Sequence, residues 1–167
     1  LLSNNSSSLH HINIVLPNKR AKIFLIEELK RQSSTTFLAP KIISIEMLIE
    51  EIAQLRTLDN IELLFEFYIV YLDNTVTSKQ QDFEKFSSWA VTLIQDFNEI
   101  DRYLINQNEI FSYLLDIERI KHWTASVNNQ SKLIENHLDF WKLMPFYYQK
   151  FTEHLINKKV GYQGLLY

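Results

Sequence analysis

The chain has 167 residues, of which 46% are hydrophobic and 22% are charged, and its formal net charge is −3 at pH 7. It contains no cysteine, which excludes disulfides, cysteine nucleophiles and thiolate metal sites, and no apolar run approaches the roughly 18 residues of a membrane span. These values predict a cytoplasmic protein of one domain, or of one domain with an attached lobe, with no membrane partner.

Charge is distributed unevenly along the chain. Six lysine and arginine side chains against two carboxylates give residues 1–45 a charge of +4, which leaves −7 for the remaining residues. This asymmetry fits a basic first unit followed by an acidic helical region, and it also fits ordinary solvated surface. The net charge of the whole chain does not indicate nucleic-acid binding.

The first predicted elements are a strand and a helix. The apolar run between Ile12 and Leu16, followed by Pro17, is typical of a short strand that is buried on both faces. Asn18 can cap the helix that follows. The apolar positions of this helix share one face of a 3.6-residue period: Ala21, Phe24, Leu25 and Leu29.

A second strand and a second helix come next. The segment TTFLAP, residues 35–40, is rich in strand formers and ends at Pro40, which predicts the second strand. Ser44 can cap a helix that again has one apolar face: Ile45, Leu48, Ile49, Ile52 and Leu55. The order strand, helix, strand, helix is typical of a parallel sheet with right-handed crossovers.

From residue 58 the sequence predicts helices only. Asp59 and Glu62 form a capping-box signature before IELLFEFYIVYL, a helix that is apolar nearly all round and is therefore expected to be central. A shorter helix is predicted from Asn106 to about Ile120. Between these two, the helix within residues 82–104 has the most regular apolar face: Phe83, Phe86, Trp89, Ala90, Leu93, Ile94, Phe97 and Ile100.

The remaining sequence predicts a polar loop at residues 124–132, a long helix from about Lys132 to Lys158, and a tail. Pro145 should kink or split the long helix. The tail holds the only two glycines of the chain, Gly161 and Gly164, and its last residues, GLLY, predict a strand or turn. The apolar register of the long helix contains Leu133, Ile134, Leu138, Trp141, Met144, Tyr148, Phe151 and Leu155.

Three cations occupy the first turn of the first predicted helix: Lys19, Arg20 and Lys22. The helix macrodipole disfavours each of them by ~0.3–1 kcal/mol, and contacts with a phosphate backbone would offset that cost. An exposed basic turn that is screened by salt explains the same residues. We expect no ATP site and no cofactor, because Pro17 and Asn18 form too short a connection and provide no glycine for a phosphate loop.

Other polar residues have a structural explanation beside a functional one. Asp73 follows an apolar run as a magnesium-binding acid would, but the upstream capping box favours a helix. Asp96 and Glu99, in QDFNEID with Asp101, share a helical face and can bind a cation or a basic partner, or be solvated. The five histidines, at positions 10, 11, 122, 137 and 154, lack metal-ligand spacing, so no metal site is predicted.

Aromatic residues are the last candidates. Trp89, Trp123, Trp141, Tyr147 and Tyr148 can stack on nucleic-acid bases. Because Trp89 and Trp141 lie in the apolar registers of their helices, core packing is the expected role. No nucleophile elbow and no other catalytic residue is identified.

The order of these segments resembles the N-terminal region of AddB-like proteins of Bacteroidetes-type bacteria, which are described as inactivated superfamily I helicases joined to a RecB-type nuclease domain. The resemblance extends from Ile12 to Tyr167. It depends on the order and spacing of IVLPNKRAKIFLIEELK, FLAPKIISIEMLIEEIAQL, LLFEFYIVYL, FSSWAVTLIQDFNEIDRYL and VGYQGLLY.

For the fold, the resemblance implies an α/β class in which a small, degenerate parallel sheet of the P-loop helicase type is joined to a large helical lobe, helix-dominated overall. Residues 1–57 would form the helicase-like unit, residues 58–160 the helical insertion beside it, and residues 161–167 a return segment to a downstream domain. The stretch from Pro17 to Arg20 stands where an active helicase carries its glycine loop.

For function, the resemblance implies a non-catalytic helper subunit in DNA double-strand-break repair and recombination. It would work beside an active, AddA-like helicase-nuclease subunit and contact single-stranded or duplex-end DNA. From their charge and place, Lys19, Arg20 and Lys22 are the residues expected to contact DNA. The nuclease motif of such proteins belongs to a C-terminal domain outside this chain.

We therefore expect a fragment without enzymatic activity, consistent with a first residue that is Leu1 and not Met. Two alternatives remain open. One is a helical scaffold that binds only protein. The other is a residual nucleotide site that uses Lys19.

Overall fold

The computed structural model describes the backbone of residues 9–33, 38–125 and 131–167 and the side chains of residues 10–33, 38–117 and 141–167. Over these residues the chain is helix-dominated and contains two small parallel sheets of two strands each, which confirms the predicted α/β class. Contacts divide the chain into two compact units, Leu1–Gln54 and Leu55–Tyr167. This division lies close to the predicted boundary after residue 57.

The first unit alternates strands and helices as predicted. Strand β1 (Asn13–Leu16) pairs in parallel with strand β2 (Lys41–Ser44). Helix α1 (Ala21–Gln32) lies between the strands in sequence, and helix α2 (Ile45–Ala53) follows β2 directly. Both helices pack on β2, so the core of this unit forms around that strand.

Two predictions for the strands are wrong. The second strand follows Pro40 and does not end there; residues 34–37 of the region predicted for it lie outside the described part of the chain. The β-branched Ile42 and Ile43 are buried in this strand together with Ser44, and β-branched residues favour the strand at these positions. Strand β1 is not buried on both faces: within the described ranges it pairs with β2 alone, and its Val15 side chain is 40% exposed.

The helices of the first unit bury less than their periodicity predicts. Neither α1 nor α2 contains a buried residue. Phe24, from the predicted apolar face of α1, is 71% exposed, and Ile52 of α2 is 74% exposed. Helix α2 also stops before Leu55, because Gln54 adopts a left-handed conformation with φ of 56°.

The second unit is a helical lobe around an aromatic core. Phe67 is fully buried at its centre, with ring centroids 4.8 Å from Phe151 and 5.4 Å from Phe86. The register predicted for residues 82–104 is confirmed, since six of its positions are buried: Phe86, Ala90, Leu93, Ile94, Phe97 and Ile100. The helices are α3 (Asn60–Asn74), α4 (Phe83–Arg102), α5 (Gln107–Ala125) and α6 (Ser131–Asn157).

The predicted capping box starts α3. Asp59 Oδ1 accepts hydrogen bonds from the backbone N–H groups of Ile61 and Glu62 at 2.9 and 2.8 Å, and Glu62 Oε2 accepts one from the Asp59 N–H at 2.9 Å. The helix is central on one side only, because Ile61 is 67% exposed and Phe65 is 53% exposed.

Helix α6 continues through Pro145 as one element, so the predicted split does not occur. Pro145 is exposed, while Met144, Tyr147 and Tyr148 beside it are buried. Burial of these three side chains stabilises the helix at the point where Pro145 cannot donate a backbone hydrogen bond. The register positions Leu133, Ile134 and Leu138, and residues 126–130 of the predicted polar loop, lie outside what the structure describes.

The tail packs within the second unit. Strand β3 (Arg56–Thr57) pairs in parallel with β4 (Val160–Gly161), and helix α7 (Gln163–Leu166) then packs against α4. The strand or turn predicted for GLLY is therefore wrong, since most of this segment is helical. The reason is the close approach of α7 to α4, which Gly164 permits. Among the described residues, none of the helices has the length and apolar character needed to cross a bilayer.

Candidate nucleic-acid interface

Lys19, Arg20 and Lys22 lie at one edge of the β1–β2 sheet. Because the two strands are parallel, their carboxyl ends meet at this edge, and α1 and α2 both begin there. All three cationic side chains are exposed. The edge at which parallel strands end is the usual ligand-binding position of open α/β sheets.

Two side-chain caps hold the helix starts at this edge. Asn18 Oδ1 accepts a hydrogen bond from the Ala21 N–H at 2.9 Å, and Ser44 Oγ accepts one from the Met47 N–H at 3.3 Å. Both contacts were predicted from the sequence and are confirmed. Asn18 therefore caps the turn that leads into α1, and the side chains of Lys19 and Arg20 in this turn and of Lys22 in the first turn of α1 are exposed.

The cations at this edge are weakly countered. Within the described residues, none of Lys19, Arg20 and Lys22 has a carboxylate within the 4.0 Å of an ion pair. Glu46, in the first turn of α2, faces Lys19 at longer range. A hydrogen bond from Ser44 and, to a lesser extent, the charge of Lys19 lower the pKa of Glu46.

Sequence reasoning missed Glu46 as a neighbour of the basic turn. The signal was available, because the first turns of helices that follow two paired parallel strands lie side by side. At the opposite edge two of the three cations are paired, since Lys41 Nζ lies 2.7 Å from Glu51 Oε2 and Arg31 lies 3.0 Å from Glu28, while Lys30 has no ion pair among the described residues. The two edges of the first unit therefore differ in available positive charge.

The carboxylates singled out in the sequence do not gather at one site. Asp73 is exposed near the end of α3, so the helical interpretation of its segment is confirmed. Asp96 and Glu99 line a cavity in the second unit. Asp101 accepts hydrogen bonds from the hydroxyls of Tyr148 and Tyr162.

The Asp101 contacts are structural. Asp101 joins the end of α4 to α6 through Tyr148 and to the tail through Tyr162, whose hydroxyl lies 2.5 Å from Asp101 Oδ2. Burial, reinforced by the negative charge and hydrogen bonding of Asp101, raises the pKa of both tyrosines. Both protonated hydroxyls donate to Asp101.

The aromatic candidates belong mainly to the core. Tyr147 and Tyr148 are buried, and Tyr147 exchanges a hydrogen bond of 2.8 Å with Thr75. Trp89 is partly buried and its indole N–H donates to Gln81 at 3.0 Å. Trp141 packs against the same core. The expectation of core packing is confirmed for these residues, and the side chain of Trp123 lies outside the described part.

The described histidines form no metal site. His154 Nε2 lies 2.7 Å from Glu66 Oε2, and Lys158 Nζ lies 2.7 Å from the same oxygen. Burial alone raises the pKa of Glu66, but these hydrogen bonds outweigh it, so the pKa is lowered. Over the side chains that are described, no three potential ligands cluster around a common point; His122 and His137 fall outside them.

Comparison of the chain with protein-family models, with curated proteins and with solved structures gives no match. The functional interpretation accordingly depends on the residues and contacts described above.

Proposed function

We propose that this chain is the non-catalytic, helicase-like N-terminal region of an AddB-like subunit in DNA double-strand-break repair, and that Lys19, Arg20 and Lys22 contact single-stranded or duplex-end DNA. The observation that supports the proposal is the group of three exposed cations at the carboxyl edge of a parallel sheet, with no ion-pair partner among the described residues. Phosphate contacts of this kind need no base recognition and suit a guiding or sensing role.

The three cations are not equivalent. Lys19 is partly countered by Glu46, whose pKa its charge lowers, whereas neither Arg20 nor Lys22 contributes to that lowering. Arg20 also has a planar fork of donors that matches phosphate oxygens. We therefore expect Arg20 and Lys22 to contribute more to DNA affinity than Lys19.

The basic edge lacks a glycine loop for nucleotide phosphates, which fits a scaffold role. The helix begins two residues later than predicted, so the connection between β1 and α1 runs from Pro17 to Arg20; with the Asn18 side chain engaged in capping, it has no glycine amides to surround a triphosphate. In the proposed assembly, ATP-driven movement and strand cleavage belong to an active, AddA-like helicase-nuclease partner and to a nuclease domain elsewhere in the protein.

A second candidate function is a scaffold that binds only protein. It is favoured by the exposed apolar side chains of the first unit, such as Ile23 at 61% and Phe24 at 71% exposure on α1. Exposed apolar surface of this kind is common at protein interfaces. This candidate gives the basic turn no role in DNA binding.

Binding of a labelled single-stranded oligonucleotide, followed by fluorescence anisotropy over a series of salt concentrations, separates the two functions. If all three cations contact phosphate, the slope of log K against log salt should become less negative by about 2 in a Lys19→Ala, Arg20→Ala, Lys22→Ala variant, at ~0.7 per phosphate. A duplex with a blunt end, used as a competitor, shows whether ends or single strands are preferred.

The chain provides a charge-matched control. A Lys30→Ala, Arg31→Ala, Lys41→Ala variant removes the same three charges from the opposite edge of the first unit. The DNA proposal expects this variant to keep most of the affinity and the salt slope. Equal losses of DNA affinity in both variants would show that binding depends on net charge and not on this site. If the unaltered chain does not bind DNA at low salt, the protein scaffold is the better-supported function.

A residual nucleotide site at Lys19 has its own test. Calorimetry with ATP and magnesium should show no saturable heat with the unaltered chain. Binding with micromolar affinity that is lost in a Lys19→Ala variant would contradict the proposed absence of nucleotide chemistry.

A further inference from the structure

A cavity of about 330 Å³ opens in the second unit between α4, α5 and α6. The buried members of its lining are apolar: Leu93, Ile100, Phe111 and Met144. At roughly 30 Å³ per water molecule, the space holds about eleven water-sized groups. This volume lies at the small end of the range for ligand pockets.

Aromatic rings contribute to the same lining. Phe111 of α5, Tyr103 from the connection after α4, and Trp141 of α6 all border the cavity. Tyr103 is 68% exposed, which places an aromatic side chain where the cavity meets solvent. The faces of such rings attract organic cations, with Trp the strongest of the three types.

Two carboxylates complete the lining. Asp96 and Glu99 stand three residues apart on α4, are both exposed to solvent, and border the open side of the cavity. No lysine, arginine or histidine among the described side chains lies within the 4.0 Å of an ion pair with either carboxylate. Partial burial, and then the negative charge of Glu99, raise the pKa of Asp96.

We propose that this cavity binds a small organic ammonium ion with an aromatic or aliphatic body. The apolar lining would enclose the body of the ligand, while Asp96 and Glu99 would pair with its charged nitrogen and Tyr103 and Trp141 would offer ring faces to it. A bound cation would also relieve the repulsion between the two carboxylates. The site lies in the second unit and does not depend on the proposed DNA contacts of the first.

The test uses the whole chain and three probes of similar size: 2-phenylethylamine, which is cationic, 2-phenylethanol, which is neutral, and 3-phenylpropionate, which is anionic. Titration followed by calorimetry or NMR should show saturable binding of the amine, about tenfold weaker binding of the alcohol, as expected for losing a cation–π contact and an ion pair, and no binding of the carboxylate.

Variants locate the site. Asp96→Asn with Glu99→Gln should weaken amine binding about tenfold and abolish the preference over the alcohol, because only charge is removed. Leu114→Phe, which fills part of the cavity, should weaken the amine and the alcohol alike. Glu84→Gln, on the same helix but outside the lining, should leave the amine affinity unchanged.

Three outcomes would overturn the proposal. They are equal affinity for the three probes, an effect of Glu84→Gln as large as that of the double carboxylate variant, and failure of the amine to bind a folded chain at all. Circular dichroism of each variant confirms that the helices are intact before binding is compared.

Discussion

The contact between α7 and α4 gives the sharpest prediction, and it concerns Gly164. A Cβ atom at this position would lie 2.2 Å from the Asn98 backbone oxygen and 2.9 Å from the Arg102 backbone nitrogen. An ordinary carbon to oxygen contact is about 3.3–3.6 Å, so a Gly164→Ala variant requires α7 to move by roughly 1 Å. The atoms it meets belong to the backbone of a long helix and cannot rotate away.

The expected cost of Gly164→Ala is about 2 kcal/mol in the free energy of unfolding. Overpacking costs ~1–3 kcal/mol, and contact with backbone places this case at the upper end. Alanine recovers up to ~1 kcal/mol through its better helix propensity. Separation of α7 from α4 is no cheaper, because it exposes Leu166, which is 8% exposed in the fold, and weakens the 2.7 Å hydrogen bond from the Gly164 N–H to Asn98 Oδ1.

Urea unfolding, monitored by tryptophan fluorescence, reports on the second unit, which contains Gly164, because all three tryptophans of the chain lie between residues 55 and 167. Gly161→Ala is the matched control. Its Cβ would meet Leu166 Cδ1 at 2.8 Å and Leu165 Cδ2 at 3.2 Å, which are the ends of flexible side chains. We expect a smaller loss for the control. A Gly164→Ala variant within ~0.5 kcal/mol of the unaltered chain, as for an ordinary surface change, would refute the packing argument.

Three further changes test other contacts of the second unit. Asp101→Ala should cost ~2–4 kcal/mol in urea unfolding, because it leaves the hydroxyls of Tyr148 and Tyr162 without their acceptor; a cost no larger than that of a surface change would contradict the bridging role. Asp59→Ala should cost ~1 kcal/mol through loss of the α3 cap, and melting temperatures will show whether it does. Glu66 has a lowered pKa in the folded state, so its stabilising contribution is present above its ordinary pKa of 4.5 and is lost as the pH falls below that value. The difference in free energy of unfolding between the unaltered chain and Glu66→Gln should therefore shrink on acidification. A constant difference would exclude this linkage.

Local signals predicted the starts of elements well. Asn18, Ser44 and Asp59 each have a short side chain whose oxygen reaches backbone N–H groups within three residues, and all three make the expected contact. Such contacts depend on few neighbours and can be inferred from sequence. The apolar register of α4 was predicted for a related reason, because a regular helix of twenty residues has only one face to bury.

Burial in the first unit could not be predicted from periodicity. The apolar positions of α1 and α2 are correct for helices that cover a wide sheet, but the described sheet has two strands, so Phe24 and Ile52 stay exposed. The periodicity shows which face of a helix is apolar, but it does not show whether the sheet is wide enough to bury that face.

The contacts that join distant parts of the second unit were also outside the reach of sequence patterns. Asp101 meets Tyr148 and Tyr162, which lie 47 and 61 residues further along the chain. Likewise, Gly164 gave no sign of its closeness to Asn98. A glycine in a short tail is compatible with a turn, and only the position of α4 shows that the absence of a side chain serves packing.

The proposed DNA site is suitable for mutation because, among the described residues, its three cations take no part in the distant contacts that hold the fold together. Lys19, Arg20 and Lys22 are exposed, and within the described residues they form no ion pair that holds the fold. The α1 cap comes from Asn18, which the alanine variant retains. Removal of three cations from a helix start relieves an unfavourable interaction with the macrodipole, so α1 should be unchanged or slightly more stable. A loss of DNA affinity in this variant therefore measures lost phosphate contacts and not unfolding of the first unit.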